Sequence, residues 1–121
     1  MVVHGAGLDE VALHGETQAV RLSDGALERV TLAPADVGFA PAPLAKIRGG
    51  APEENAARLQ ALLQGRGTRT EKQAVALNAG ALLLTADLAE SFAEGAAQAL
   101  DVLASGAAHE RLEALVEISN G

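Results

Sequence analysis

The chain has 121 residues, 49% hydrophobic and 21% charged, a composition typical of a single globular domain. It has no cysteine and only two aromatic residues, which excludes disulfide scaffolds, cysteine-ligated metals and an aromatic platform for single-stranded nucleic acid. The net charge of -7, with scattered basic residues, disfavours binding to phosphate backbones. No apolar run approaches the roughly 18 residues of a membrane span, so we expect a cytoplasmic protein with no nucleic-acid or membrane partner.

Strands are predicted in the first part of the chain. The apolar run Met1 to Val3 predicts a strand at the very start of the chain, as expected for a piece of a larger domain. Loose alternation over Thr17 to Leu22 and over Leu27 to Leu32, on either side of Ser23-Asp24-Gly25, predicts a β-hairpin. All four prolines fall between Ala33 and Pro52, which indicates an irregular connection with at most one helical turn, near Asp36.

Helical periodicity then continues to the end of the chain. A first helix is predicted to begin at Pro52 and to end at Gly65. Its apolar stripe consists of Ala56, Leu59, Leu62 and Leu63. A second helix is expected to start at Thr70, with Gln73 completing a capping box, and to be the most buried helix because Leu77 to Leu84 is apolar on nearly every side.

Two more helices complete the prediction. Asp87 and Glu90 have capping spacing for the third helix, which Gly106 ends, and a fourth runs from Ala107 to about Ile118. The predicted inward-facing residues are Leu88, Phe92, Ala96, Leu100 and Leu103 in the third helix, and Leu112, Leu115 and Val116 in the fourth. The fold class is therefore α/β, with strands and loops at about 1–50 and about four helices at about 52–118.

The densest group of chemically capable residues is His4-Gly5-Ala6-Gly7-Leu8-Asp9-Glu10, directly after the first strand. The glycines permit a tight turn, and the adjacent carboxylates of Asp9 and Glu10 are oxygen ligands of the kind that Mg²⁺ prefers. Adjacent acidic residues are also common on solvated surfaces. The pair alone therefore leaves both interpretations open.

This H-G-x-G-L-D-E segment resembles the signature of the anthranilate phosphoribosyltransferase family. Further similarities follow in the same order along nearly the whole chain. They are the Thr17 to Leu22 strand, Leu32-x-Pro34-x-Asp36-x-Gly38, Gly49-Gly50 with Glu54-Asn55-Ala56, Leu77-Asn78-Ala79, Glu94-Gly95 and Ser105-Gly106-Ala107.

The resemblance implies a pentosyltransferase, which moves the phosphoribosyl group of phosphoribosyl pyrophosphate to anthranilate in tryptophan biosynthesis. It implies that Asp9 and Glu10 bind Mg²⁺. A homo-oligomer is expected on other grounds, because the strand at Met1 to Val3 and the apolar helix around Leu77 to Leu84 would otherwise leave a strand edge and an apolar patch exposed. The family's other substrate-binding motifs lie upstream of this segment and have no counterpart here. We therefore expect residues 1–121 to be the C-terminal segment of the phosphoribosyltransferase α/β domain, with no catalytic residue of its own and no activity in isolation.

Two alternatives remain at this stage. The first is a segment of a related pyrimidine nucleoside phosphorylase. The second is a non-catalytic helical interaction module derived from the enzyme, which the missing loops and the many small residues favour.

Other polar residues are interpreted as structural. His4 is expected to follow a buried strand as an ordinary structural residue, and His14 and His109 are expected at the surface. Asn55 is expected to hydrogen-bond the backbone of the first turn of its own helix, and Asn78, within a buried helix, is expected to hydrogen-bond a neighbouring loop. Gly49-Gly50 is not expected to bind phosphate, because Glu53 and Glu54 in the following helical turn would repel an anion.

Overall fold

The computed structural model describes residues 1–121, in which three antiparallel strands precede four α-helices. The strands β1 (Val2–Gly5), β2 (Thr17–Ser23) and β3 (Ala26–Leu32) form one sheet in the order β1-β2-β3. This arrangement confirms the α/β class and the predicted hairpin. Asp24 and Gly25 form the hairpin turn with φ of 50° and 78°, the positive values that a two-residue turn between twisted strands requires.

The connection between the sheet and the helices contains two short 3₁₀ turns, at Pro34–Val37 and Leu44–Ile47. The expectation of at most one helical turn here was wrong. The additional turn forms after Pro43, whose φ of -58° suits the start of a turn and whose carbonyl accepts a hydrogen bond from the Lys46 N–H.

The helices are α1 (Pro52–Leu63), α2 (Arg69–Thr85), α3 (Phe92–Ser105) and α4 (Ala107–Ser119). Glycines with positive φ follow α1 and α3, as predicted: φ is 76° at Gly65 and 81° at Gly106. None of the four combines the length and the hydrophobicity needed to cross a membrane.

The predicted starts of α2 and α3 were wrong. The N-cap of α2 is Thr68, two residues before the predicted Thr70, and the side chains of Thr68 and Glu71 each accept the other's backbone N–H. The N-cap of α3 is Ser91, whose hydroxyl accepts from the Glu94 N–H. Asp87 precedes α3 in a left-handed conformation, with φ of 55°, and therefore cannot cap it.

The core lies between one face of the sheet and the α2–α3 pair. Seven buried side chains form it: Val11, Leu13, Ala19, Leu32, Leu77, Ala81 and Phe92. The two helices cross at Gly80 and Gly95, where a Cβ on Gly80 would lie 2.7 Å from the Ala96 nitrogen. Only glycine allows this close approach.

Burial in the helices agrees with the prediction for α2 and differs from it for α4. Helix α2 contains the fully buried Leu77 and exposes four of its 17 residues, whereas α3 exposes seven of 14, so α2 is the most buried helix, as predicted. In α1 only Leu62 is buried, and α4 buries no residue. The expectation that Leu115 and Val116 face inward was wrong because no other element of the chain covers that side of α4.

Candidate functional site

The segment after β1 is a tight turn that ends beside two carboxylates. Gly5 and Leu8 hydrogen-bond each other in both directions, with N···O distances of 3.0 and 2.9 Å. Ala6 and Gly7 between them have φ of 48° and 95°. Gly5 is buried, and a Cβ there would overlap the Glu10 carbonyl oxygen. Glycine is therefore required at position 5 for the chain to return past β1.

Asp9 and Glu10, which we call the acidic pair, follow this turn as exposed residues. Neither carboxylate accepts a hydrogen bond or forms an ion pair. Both residues line a cavity of about 210 Å³, and Asn78 of α2 lies in the same cavity wall. The structure thus leaves the oxygen atoms of both carboxylates free for a ligand, next to a concave surface.

The chain is fixed again immediately after the acidic pair. The Asn78 side chain accepts a hydrogen bond from the Val11 N–H at 2.8 Å and donates one to the Val11 carbonyl at 3.0 Å. The next residue, Ala12, donates its N–H to the hydroxyl of the fully buried Thr17 at 2.9 Å. The prediction that Asn78 serves a neighbouring loop is confirmed, and that loop is the one that carries the acidic pair.

A larger cleft of about 570 Å³ lies on the other side of Glu10, with mainly apolar walls from the loop after β1, the second 3₁₀ turn, α1 and α2. Besides Glu10, two charged residues line this cleft, Arg58 of α1 and Glu71 of α2. They form an ion pair in which Arg58 Nη2 lies 2.7 Å from Glu71 Oε1. Arg58 also donates from Nη1 to the Arg48 carbonyl at 2.7 Å. The guanidinium is therefore already occupied, and this cleft presents no free cation to an anionic ligand.

The pKa of Glu71 results from opposing effects. Burial raises the pKa of this carboxyl, but hydrogen bonds from Thr68 and Arg58, together with the Arg58 charge, outweigh it and hold the pKa below its ordinary value. Glu71 is therefore a structural anion that joins α1 to the start of α2. Sequence reasoning missed this role because Glu71 and Arg58 are 13 positions apart on different helices.

The histidines contribute no cluster to the site. His4 is exposed within β1, and its side chain forms no hydrogen bond. His14 and His109 are partly exposed, as expected; His14 Nε2 lies 3.1 Å from the Ala6 carbonyl oxygen, on the turn before the acidic pair. No group of three or more His, Asp or Glu side chains is arranged to hold a metal ion.

Gly49 and Gly50 lie in the loop before α1. Asn55 accepts from the Gly50 N–H at 2.8 Å and donates to the Gly50 carbonyl at 3.0 Å, so that its side chain ties the loop to the first turn of α1. Glu53 and Glu54 lie in the same turn and are exposed. The loop is thus closed by Asn55, and the acidic first turn does not favour a phosphate.

Comparison with known proteins identifies relatives along nearly the whole chain. The family model described as "Glycosyl transferase family, a/b domain" matches residues 1–109. Anthranilate phosphoribosyltransferase of Sorangium cellulosum is 55% identical over 119 residues, which make up 98% of this chain and 34% of that protein. The chain thus spans about a third of the length of the curated relatives that it matches.

Solved structures agree with this assignment. The crystal structure of anthranilate phosphoribosyltransferase from Thermus thermophilus superposes with a TM-score of 0.89 at 43% identity, over 98% of this chain and 35% of that one. The Saccharomyces cerevisiae enzyme, in complex with PRPP and Mg, has a TM-score of 0.80 at 27% identity over 92% of this chain and 32% of that one. From the family match and these superpositions we conclude that this chain belongs to the glycosyl transferase family, a/b domain.

Proposed function

We propose that residues 1–121 form the C-terminal segment of an anthranilate phosphoribosyltransferase and that Asp9 and Glu10 bind Mg²⁺ in it. The observation that carries the proposal is an acidic pair with free carboxylates, held after a tight turn at the edge of a cavity. Relatives named anthranilate phosphoribosyltransferase, 55% identical in one case, support the reaction. A related yeast enzyme whose structure contains PRPP and Mg supports the cofactor.

The acidic pair fits Mg²⁺ in its chemistry. Mg²⁺ prefers oxygen ligands, keeps several waters, and is commonly held by one or two carboxylates together with phosphate groups of the substrate. Asp9 and Glu10 supply two exposed carboxylates that no cation of the chain neutralises. The lack of a third acidic or histidine ligand nearby is consistent with this type of site, in which substrate and water supply the remaining ligands.

The residues of this chain would have a limited part in the reaction. Mg²⁺, when bound, would stabilise the negative charge that develops on the pyrophosphate of phosphoribosyl pyrophosphate. Asp9 and Glu10 would hold the ion, and the turn from Gly5 to Leu8 would direct both carboxylates outward. No other side chain of the cavity is a free acid or base placed beside them, so we propose no catalytic residue in this segment.

The substrates of the complete enzyme are, in this proposal, phosphoribosyl pyrophosphate and anthranilate. The yeast relative has been solved with PRPP and also with 4-fluoroanthranilate. Because the larger cleft of this chain has no free cation for a pyrophosphate, the remaining substrate contacts belong to parts of the enzyme outside these residues. We therefore expect the isolated chain to form no phosphoribosyl anthranilate. Turnover by the purified chain would contradict that expectation.

The test of function replaces the matching third of the Sorangium cellulosum enzyme with this chain and measures phosphoribosyl anthranilate formation. We expect the chimaera to be active and to require Mg²⁺. The double variant Asp9→Ala/Glu10→Ala is expected to lose about 100-fold or more in turnover, the range seen when a group that stabilises developing charge is removed. The matched control Glu53→Ala/Glu54→Ala makes the same charge change on α1 and should retain activity.

The same chimaera separates the rival functions. Pyrimidine nucleoside phosphorolysis in place of anthranilate transfer would favour the phosphorylase. A folded but inactive chimaera would favour the non-catalytic module.

The proposal also includes a homo-oligomer, because both outer strands of the sheet have one unpaired edge and Val2 and Leu27 expose most of their surface. Sedimentation of the chain at micromolar concentration tests this, and a single monomeric species would contradict it. The cytoplasmic location expected from the sequence remains a prediction.

A further inference from the structure

Asn78 is the only side chain that connects α2 to the loop of the acidic pair by hydrogen bonds, and it uses both ends of its carboxamide to do so. In addition to its two bonds with the Val11 backbone, Nδ2 donates to the Ala74 carbonyl of its own helix at 3.0 Å. Its neighbour Leu77 is fully buried. The carboxamide is thus held in one orientation by a rigid helix.

The acidic pair has no comparable support of its own. Neither Asp9 nor Glu10 forms a backbone hydrogen bond. Their position is set by what holds the chain before them, the Gly5 to Leu8 turn, and after them, the Val11–Asn78 pair. If either end is released, two exposed residues with freely rotating backbone remain.

Asn78 acts on Glu10 through the geometry of one peptide group. The Val11 N–H and the Glu10 carbonyl belong to the same planar peptide, so a hydrogen bond that fixes the N–H also fixes the orientation of the Glu10 carbonyl. The Val11 side chain is buried in the core, and the Glu10 carbonyl oxygen packs closely against Gly5, so this peptide group is confined on the side of β1. The two hydrogen bonds to Asn78 fix it from the side of α2.

We propose that Asn78 is a positioning residue for the metal site, which orients the Glu10 carboxylate relative to that of Asp9. This inference rests on the proposed function, in that it assumes the acidic pair binds a divalent cation. Groups that orient metal ligands typically contribute about 10- to 100-fold to metal affinity. The expected consequence is a loss of affinity for the ion that exceeds any loss of fold.

The experiment titrates the 121-residue chain with Mn²⁺ alone, as a paramagnetic probe for Mg²⁺, and follows water proton relaxation. The unsubstituted chain is expected to bind with a Kd on the order of 1 mM, as weak oxygen-ligand sites do. Asp9→Ala/Glu10→Ala should abolish this binding. Asn78→Ser, whose hydroxyl can satisfy the Ala74 carbonyl but cannot reach Val11, should raise the Kd about tenfold.

The chain offers a matched control for this substitution. Asn55 makes the same two hydrogen bonds with the backbone of Gly50, in the loop before α1, and forms no hydrogen bond with the loop of the acidic pair. Asn55→Ser therefore removes an equivalent loop attachment and should leave the Mn²⁺ Kd within about twofold. Val11→Ala keeps both backbone hydrogen bonds to Asn78 while it removes buried side-chain volume, and it should also leave the Kd nearly unchanged.

Circular dichroism and urea unfolding establish that each variant is folded. If the Asn78→Ser chain loses its helical signal, the Asn78→Gln chain is titrated instead. Glutamine keeps the carboxamide but places it one methylene further from the backbone, so the Kd for Mn²⁺ should rise at least about threefold. A folded Asn78 variant with unchanged Mn²⁺ affinity overturns the positioning role alone. Failure of the unsubstituted chain to bind Mn²⁺ at the acidic pair overturns the metal site and, with it, the role of Asn78.

Discussion

Helices α2 and α4 have similar sequence patterns and very different surroundings. Both carry apolar side chains at helical spacing, yet Leu77 of α2 is 0% exposed, whereas Leu115 and Ile118 of α4 are 61% and 80% exposed. Helix α2 packs along α3 and contributes Leu77 and Ala81 to the core, while α4 packs with only part of its surface against α1 and α3. Periodicity thus identifies the apolar side of a helix but does not show whether anything covers it.

The N-terminus of α2 is also better anchored than the N-terminus of α4. Helix α2 begins with a capping box between Thr68 and Glu71, and Glu71 is paired with Arg58 of α1. Helix α4 begins at Gly106 without a side-chain cap. The molecule therefore has a well-anchored centre, which holds the candidate metal loop, and a loosely attached end. Three substitutions test that contrast.

The largest effect is expected from Leu77→Ala. Removal of a fully buried leucine side chain leaves a cavity between α2 and the sheet and should lower the free energy of unfolding by about 2–5 kcal/mol. Leu115→Ala removes the same atoms from the exposed side of α4 and should change the free energy of unfolding by less than about 0.5 kcal/mol. Urea unfolding measures both, and equal losses in the two variants would refute the contrast.

The second largest loss of stability is expected from Gly80→Ala. The added methyl group would lie 2.7 Å from the Ala96 nitrogen and 3.0 Å from its Cα, so α2 and α3 must separate, at a cost of about 1–3 kcal/mol. Without this contact, alanine would stabilise a helix relative to glycine. Ala97→Leu on the exposed side of α3 is the control, with little expected change. A Gly80→Ala chain as stable as the parent would show that the crossing tolerates a wider separation.

The smallest of the three effects is expected from Glu71→Gln, at about 1 kcal/mol near neutral pH, because the first turn of α2 loses a charged cap and its partner Arg58. Since the pKa of Glu71 is lowered from 4.5 by folding, its charge stabilises the fold above that pH, and this contribution is lost as the pH falls through the folded pKa. The parent and the variant should therefore converge in stability on acidification. Glu110→Gln removes a charge from the uncapped first turn of α4 and should change the free energy of unfolding by less than about 0.5 kcal/mol.

Local patterns in the sequence predicted most of the elements. The hairpin around Asp24-Gly25 and the helix ends at Gly65 and Gly106 depend on neighbouring residues, and all three were predicted. The capping errors arose because several Thr, Ser and Asp residues compete near each helix start, and only the backbone geometry selects Thr68 and Ser91.

Features that depend on residues far apart in the chain could not be predicted from the sequence. The burial of α4 was overestimated because coverage depends on where distant elements lie. For the site, the sequence indicated the acidic pair and the Gly5 turn but could not show which loop Asn78 would reach. The partnership of Arg58 with Glu71 had no local signal either, since it depends on how α1 and α2 approach each other.

The hydrogen bonds between Val11 and Asn78 span 67 positions of the chain. Contacts of such sequence separation carry a large loop-closure entropy and form only after the intervening elements are in place. During synthesis, both carboxylates of the acidic pair leave the ribosome long before the residue that orients their loop. The hairpin depends only on neighbouring residues, whereas the ordered arrangement of Asp9 and Glu10 has to await the docking of α2.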